Sequence, residues 1–277
     1  MFTSPLIQVA DLADLTSNTD LVILDATIDK VDQKIDPIQP VLIPDSLFFD
    51  IEGKFSDPRS GLPHTMVAPE RFQEEAQALG INRRSIIVVY DRWGVYSSPR
   101  AWWMFRCMGH EQTFVLNGGL PAWQQHKLPT MSKHAISATT GDFNAQPVAS
   151  WITDKETIAN QLAFGALRLI DARSAGRFEG SAPEPRPGLP SGHIPGASNL
   201  PFNMVLDGTF YKDQEKLAEI LAPHLSTVKP NVCSCGSGIT AAIVALAAYQ
   251  TGNENISVYD GSWAEWAADT AMPIQTR

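Results

Sequence analysis

Cys235 ends a short apolar run and is followed at once by Gly236-Ser237-Gly238-Ile239-Thr240. Asn231–Ser234 reads as a strand. Ile239, Ile243 and Leu246 share one face of the helix that comes next, and Gly252 stops it. Alanines fill most other positions, so this helix is apolar nearly all round and is expected to be buried. A helix start presents unpaired N–H groups and about half a positive charge. Gly236 and Gly238 would let the backbone take positive φ and approach an anion closely. The anion to hand is the Cys235 thiolate, which such a setting favours, with Ser237 and Thr240 adding hydroxyl donors. The same residues also fit a packing role, because a free cysteine is usually core material. Spacing alone leaves both readings open.

Several other chemistries are excluded. A cysteine phosphatase needs an arginine soon after its nucleophile, but position 241 is Ala and the next basic residue is Arg277. A phosphate-binding loop ending in Gly-Lys-Ser/Thr is absent. Cys233 and Cys235 have no second Cys/His pair at metal-ligand spacing, so no metal is expected.

The elements around this loop occur twice. LVILDAT (21–27) matches LRLIDAR (167–173), and LIPDSLFFD (42–50) matches HIPGASNLPF (193–202). The run 86–105 matches 231–246, and VLNGGLPAW (115–123) matches VYDGSWAEW (258–266). These four matches keep chain order at nearly constant offset, which predicts a duplicated domain. Where the second copy has Cys235, the first has Asp91, which cannot carry sulfur. A polar stretch, 124–150, reads as a linker ordered in places along the surface. The expected domains are 1–140, the inactive copy with the start of the linker, and 141–277. β-Branched runs such as 85–90 and 167–171 alternate with helical patterns such as PERFQEEAQALG (69–80). That alternation predicts an α/β fold, each copy a mainly parallel sheet with helices on both faces. Sites in such sheets lie beyond the carboxyl ends of strands, where Cys235 sits.

The 277 residues are 44% apolar and 18% charged, as in a soluble globular protein. A net charge of −9 argues against nucleic acid or an anionic membrane as partner, though not against a small anionic substrate. Three cysteines are too few for a disulfide framework, and the N-terminus lacks the pattern of a secretory or transit signal. A reducing compartment, the cytoplasm, is the expectation.

Cys235–Thr240 followed by YDGSWAEW resembles the active-site loop of the tandem-domain rhodanese-like sulfurtransferases. FFDIEG (48–53), SSPRAWWMFR (97–106) and GRFEGSAPEPRPGLPSGHIPGA (176–197) match as well, so the resemblance spans nearly the whole chain. Within that family the Gly-Ser-Gly loop is like that of the 3-mercaptopyruvate sulfurtransferases; thiosulfate sulfurtransferases typically carry Arg-Lys-Gly. The resemblance implies a persulfide mechanism without cofactor or metal. Cys235 takes sulfur from 3-mercaptopyruvate, pyruvate leaves, and the sulfur passes to cyanide, a thiol or a thioredoxin-like protein. It implies substrate binding by Arg177 and Arg186 beside Gly236, Gly238, Ile239 and Thr240. It also implies a proton relay of Asp50, His64 and Ser237, and hence a site between the domains. A planar guanidinium suits a 2-oxo acid, whose carboxylate can accept two parallel hydrogen bonds.

Other candidates read as structural: His193 in a turn, Asp171 and Arg173 as a buried polar anchor, Cys107 in a helix core, and Cys233 buried on its strand. VLIPDSL (41–47) departs from the family's His-Ile-Pro-Gly-Ala, which leaves that turn's geometry open. Two alternative functions stand beside the first: a thiosulfate sulfurtransferase, or a non-catalytic persulfide carrier or interaction module.

Overall fold

The computed structural model describes residues 4–36, 40–162 and 164–277. They form two compact units. The first gathers the described residues within 1–57, 66–148 and 208–211, and the second those within 58–65, 149–207 and 212–277.

The first unit is built on β1 (Leu6–Ile7), α1 (Val9–Leu15), β2 (Leu21–Asp25), β3 (Leu47–Phe48) and α2 (Pro69–Ala78), followed by β4 (Ile86–Tyr90), α3 (Ser98–Cys107), β5 (Thr113–Leu116) and α4 (Gly119–Gln125). The strands lie in the order β1-β5-β4-β2-β3, every neighbour parallel. The second unit repeats the plan with β6 (Ile152–Thr153), α5 (Lys155–Leu162), β7 (Arg168–Asp171), α6 (Ala175–Glu179), β8 (Ser198–Asn199) and the short β9 (Leu206–Asp207). A short strand of the first unit, β10 (Phe210–Tyr211), interrupts the sequence before α7 (Gln214–Leu221), β11 (Asn231–Ser234), α8 (Ile239–Gln250), β12 (Ile256–Tyr259) and α9 (Ser262–Trp266). Here the order is β6-β12-β11-β7-β8, again all parallel. The expected duplication and parallel sheets are therefore both present.

The local reasons are plain. α2 starts at Pro69, whose missing N–H costs nothing in a first turn, and Gly80 follows it at φ 74°. β11 and β12 are buried at every position, as strands in parallel sheets must be. α8 is buried from Ala241 through Ala248, as its sequence requires, because small side chains let a helix pack closely on all sides. The departure at Asp45 leaves the turn intact: Asp45 adopts φ 58° where Gly196 of the second copy adopts 82°. Short polar side chains tolerate this left-handed region.

The stretch read as a surface linker is tied to the first unit along much of its length. Met131 bridges Leu42, and Ala135 donates its N–H to Ser46 O at 2.9 Å. Gln146 and Val148 donate to the carbonyls of Met108 and Cys107 at 2.9 and 2.8 Å. Phe143, 2% exposed, joins a cluster with Phe72 and Phe105. That one aromatic side chain within the polar stretch is the signal for docking.

Asp91 ends β4 at the position that Cys235 holds in the second copy, and it is fully buried. Its carboxylate accepts the backbone N–H of Trp93 (3.0 Å), Tyr96 (2.8 Å), Ser97 (3.0 Å) and Ser98 (2.9 Å), and the Ser98 hydroxyl (2.7 Å). The strand-to-helix loop thus closes as a cradle around an anion carried by its own first residue.

Asp91→Ala strands these buried donors and should destabilise the protein by about 3 kcal/mol or more, with Asp91→Asn intermediate. Urea unfolding checks this; a loss below about 1 kcal/mol for the alanine variant would contradict it.

Candidate active site

Cys235 follows the central strand β11 at the carboxyl edge of the second sheet and is 2% exposed. Two supports shape its loop. The carbonyls of Cys235 and Gly236 accept the N–H groups of Trp263 and Ala264, each at 3.0 Å, from the start of α9. Cys235 N–H donates to Ser262 Oγ at 3.2 Å, and Ser262 Oγ donates to Tyr259 O at 2.8 Å. Among the described residues, no protein acceptor takes the backbone N–H groups of Gly236 through Thr240. The first copy shows what such a loop holds: Leu120 N–H bonds Asp91 O at 3.1 Å, as Trp263 N–H bonds Cys235 O, and the loop amides turn onto the Asp91 carboxylate. In the second copy the loop is three residues shorter, counted from Asp91 to Ser98 and from Cys235 to Ile239, and its first residue carries sulfur.

The two loop glycines serve different needs. Gly238 caps α8 at φ 79°. Gly236 is not left-handed, contrary to the expectation of positive φ at both; its need is for space. A Cβ there would lie 3.0 Å from Arg177 Nη2 and 3.6 Å from Arg186 Nη1. Ile239 is buried and Thr240 half-buried in the first turn of α8.

Those distances place both predicted arginines over the loop. Arg186 Nη2 donates to Ser237 Oγ at 3.2 Å, and Ser237 is 6% exposed. Arg177 bonds Glu184 along one edge, Nε to Oε1 at 3.0 Å and Nη2 to Oε2. Arg173 Nη1 reaches the same Glu184 Oε1 at 2.8 Å, Nε bonds both Asp171 oxygens at 3.0 Å, and the guanidinium lies 4.2 Å from the Trp263 ring centroid. Burial works against the charge of Arg173, and Asp171 with Glu184 outweighs it, so its pKa rises. This chain sets the guanidiniums of Arg173 and Arg177 against the carboxylates of Asp171 and Glu184, with Arg186 standing beside it near Gly236.

His64 Nδ1 lies 2.9 Å from Ser237 Oγ. Its backbone is left-handed at φ 62°, an unusual state for a histidine and one that concentrates at functional sites. With Arg186 donating to Ser237 Oγ, the single hydroxyl proton of Ser237 is free to face His64. Residues 58–65 group with the second unit although they precede much of the first in sequence, so His64 and Ser237 meet within one compact unit. Asp50 belongs to the first unit, where its Oδ1 accepts the Gly53 N–H at 2.9 Å.

The residues read as structural behave so. His193 Nδ1 bonds Phe178 O at 2.8 Å and stacks on the Phe178 ring at 3.8 Å. Cys107 and Cys233 are buried free thiols, and burial, with Cys235 nearby, pushes the Cys233 thiol up. Two contributors escaped the sequence reading, Glu184 and Ser262. For Ser262 a signal existed: aligning NGG (117–119) with DGS (260–262) sets it against Gly119, and the pair share φ values of 50° and 53°. Among the described residues no helix is long and apolar enough to cross a membrane, and no cluster of His, Cys, Asp or Glu could hold a metal ion.

A duplicated parallel α/β unit with a cysteine at the mouth of a strand-to-helix amide cradle defines a class, and the comparisons agree. Residues 9–126 and 154–269 each match the model of the rhodanese-like domain, and the chain belongs to that family. Among its relatives is thiosulfate/3-mercaptopyruvate sulfurtransferase 1, mitochondrial, of Arabidopsis thaliana, 36% identical over 99% of this chain and 79% of the relative. The 3-mercaptopyruvate sulfurtransferase of Escherichia coli K12 is 39% identical over 84% of this chain and 83% of its own. The crystal structure of Tum1 from Saccharomyces cerevisiae superposes with a TM-score of 0.86 at 31% identity, covering 100% of both chains.

A left-handed serine costs roughly 1–2 kcal/mol relative to glycine, so Ser262→Gly should leave stability within about 1 kcal/mol of the parent. Loss of its hydroxyl frees the Cys235 amide and should slow alkylation of Cys235 by iodoacetamide about tenfold. Mass-resolved alkylation kinetics beside thermal melts check this; unchanged kinetics would show that the hydroxyl does not position the cysteine.

Proposed function

We propose that this enzyme transfers the sulfur of 3-mercaptopyruvate through a Cys235 persulfide to a thiophilic acceptor, releasing pyruvate. The observation that carries the reading is the amide cradle at Cys235, overhung by two arginines. The Cys235 thiolate attacks the thiol sulfur of the donor. The S–S bond forms as the donor's C–S bond breaks, and the electron pair departs on the pyruvate enolate. The donor's thiol proton, taken up through Ser237 by His64 and returned to the enolate carbon, completes pyruvate and leaves the persulfide as its anion. The persulfide anion remains in the cradle until a nucleophile (cyanide, a small thiol or a thioredoxin-like protein) takes its outer sulfur and restores the thiolate.

Arg186 and Arg177 are assigned to the donor's carboxylate and 2-oxo group, Gly236 to making room for them, and Gly238, Ile239 and Thr240 to the amide face of the site. We assign Asp50 to the relay behind His64 on the family resemblance alone. The name carried by the Escherichia coli relative supports the donor, and that of the Arabidopsis thaliana relative keeps thiosulfate in view as a second donor. A reducing compartment such as the cytoplasm suits the chemistry, because the nucleophile must be kept from oxidation.

Brief exposure to 3-mercaptopyruvate should add one sulfur to the intact mass, with pyruvate released, and Cys235→Ser should abolish both. Arg186→Ala should raise KM for 3-mercaptopyruvate about thirtyfold or more, since it removes charge-assisted hydrogen bonds. A kcat/KM ratio favouring thiosulfate would overturn the donor, and sulfur uptake without turnover would leave only a carrier.

A further inference from the structure

We propose that Glu184 is a positioning residue for the donor site, and that it divides the labour of the two arginines. The inference rests on the reading just given. Glu184 lies in a loop rich in proline and glycine, yet its side chain is only 2% exposed and both its oxygens are engaged. A carboxylate so placed is a strut. Its Oε1 is shared, accepting Arg173 Nη1 at 2.8 Å and Arg177 Nε at 3.0 Å, and Arg173 is itself fixed by Asp171 at the end of β7, by the carbonyl of Gly192 at 2.7 Å and by the Trp263 ring. Its Oε2 takes Arg177 Nη2, which lies beside Gly236, so the carboxylate spans the Nε–Nη2 edge of Arg177 while still holding Arg173. A chain of charged contacts thus runs from the sheet, through Arg173 and Glu184, to Arg177, whose guanidinium lies beside the loop that carries Cys235.

Two consequences follow for the site. The side-on fork of Arg177 is committed to Glu184, so this arginine meets a donor with its Nη1–Nη2 end, held in place before the donor arrives. Arg186 reaches the loop differently, its Nη2 donating to Ser237 Oγ at 3.2 Å, and the bidentate grip on the donor carboxylate is assigned to it. The dependence of Arg177 on Glu184 makes the acid a determinant of donor affinity without touching the donor.

A double-mutant cycle tests this, with steady-state kinetics on 3-mercaptopyruvate at temperatures well below each melting point. Glu184→Gln keeps the shape and removes the charge. It should raise KM about tenfold and lower kcat by less than about threefold, because positioning of a binding group is lost rather than the nucleophile. In an Arg177→Ala background the same change should have no further effect on KM, since the strut then has nothing to hold. An unchanged KM in Glu184→Gln would overturn the proposal. So would a KM effect of equal size in the presence and absence of Arg177, which would mean that Glu184 acts through Arg173 and loop stability alone. If Glu184→Gln melts early, Glu184→Asp, which keeps the charge but shortens the reach, replaces it with the same expected dependence on Arg177. Absence of pyruvate release in the parent enzyme would sink the donor assignment and this inference together, whereas normal turnover with an insensitive KM sinks this inference alone.

Discussion

The loop that carries Cys235 is built around the backbone amides of Gly236 through Thr240, which have no protein acceptor among the described residues. Ending a parallel strand and starting a buried helix within a few residues leaves a cluster of N–H groups whose carbonyl counterparts are turned away. In the structure those carbonyls are used: Cys235 and Gly236 give theirs to the start of α9. The amides are then a standing demand for negative charge. Because α8 is enclosed by apolar contacts along its length, it cannot shift to satisfy that demand internally.

Placement of side chains around this cradle follows a common logic of support from the sheet outward. β7 supplies Asp171, which fixes Arg173, and β12 leads into α9, which supplies Ser262 and Trp263. Arg186 and His64 converge on one hydroxyl, that of Ser237, from chain segments far apart in sequence. In the proposed reaction, proton transfer and carboxylate binding would meet at that one atom.

Much of this was legible in the sequence because its physical causes are local. Strand 231–234, the apolar helix after it and the turn between them follow from side-chain type and glycine placement, and the repeat exposed the first copy's missing cysteine. What was not legible depends on tertiary proximity. No periodicity announces that Glu184, amid prolines, reaches back to two arginines, or that Pro58–Thr65 groups with the second unit. Gly236 was read for its backbone freedom, and the structure gives it a different reason, the room two guanidiniums need. Phe143 shows the same limit in the linker: one aromatic residue among polar neighbours suffices to dock a segment whose composition reads as loose.

The carboxylate at position 91 bears on what a cysteine placed there could do. It would enter a loop three residues longer than the one at Cys235, whose amides are already spaced for a tethered carboxylate. Exchanging one atom type for another would therefore not turn the first socket into a replica of the second.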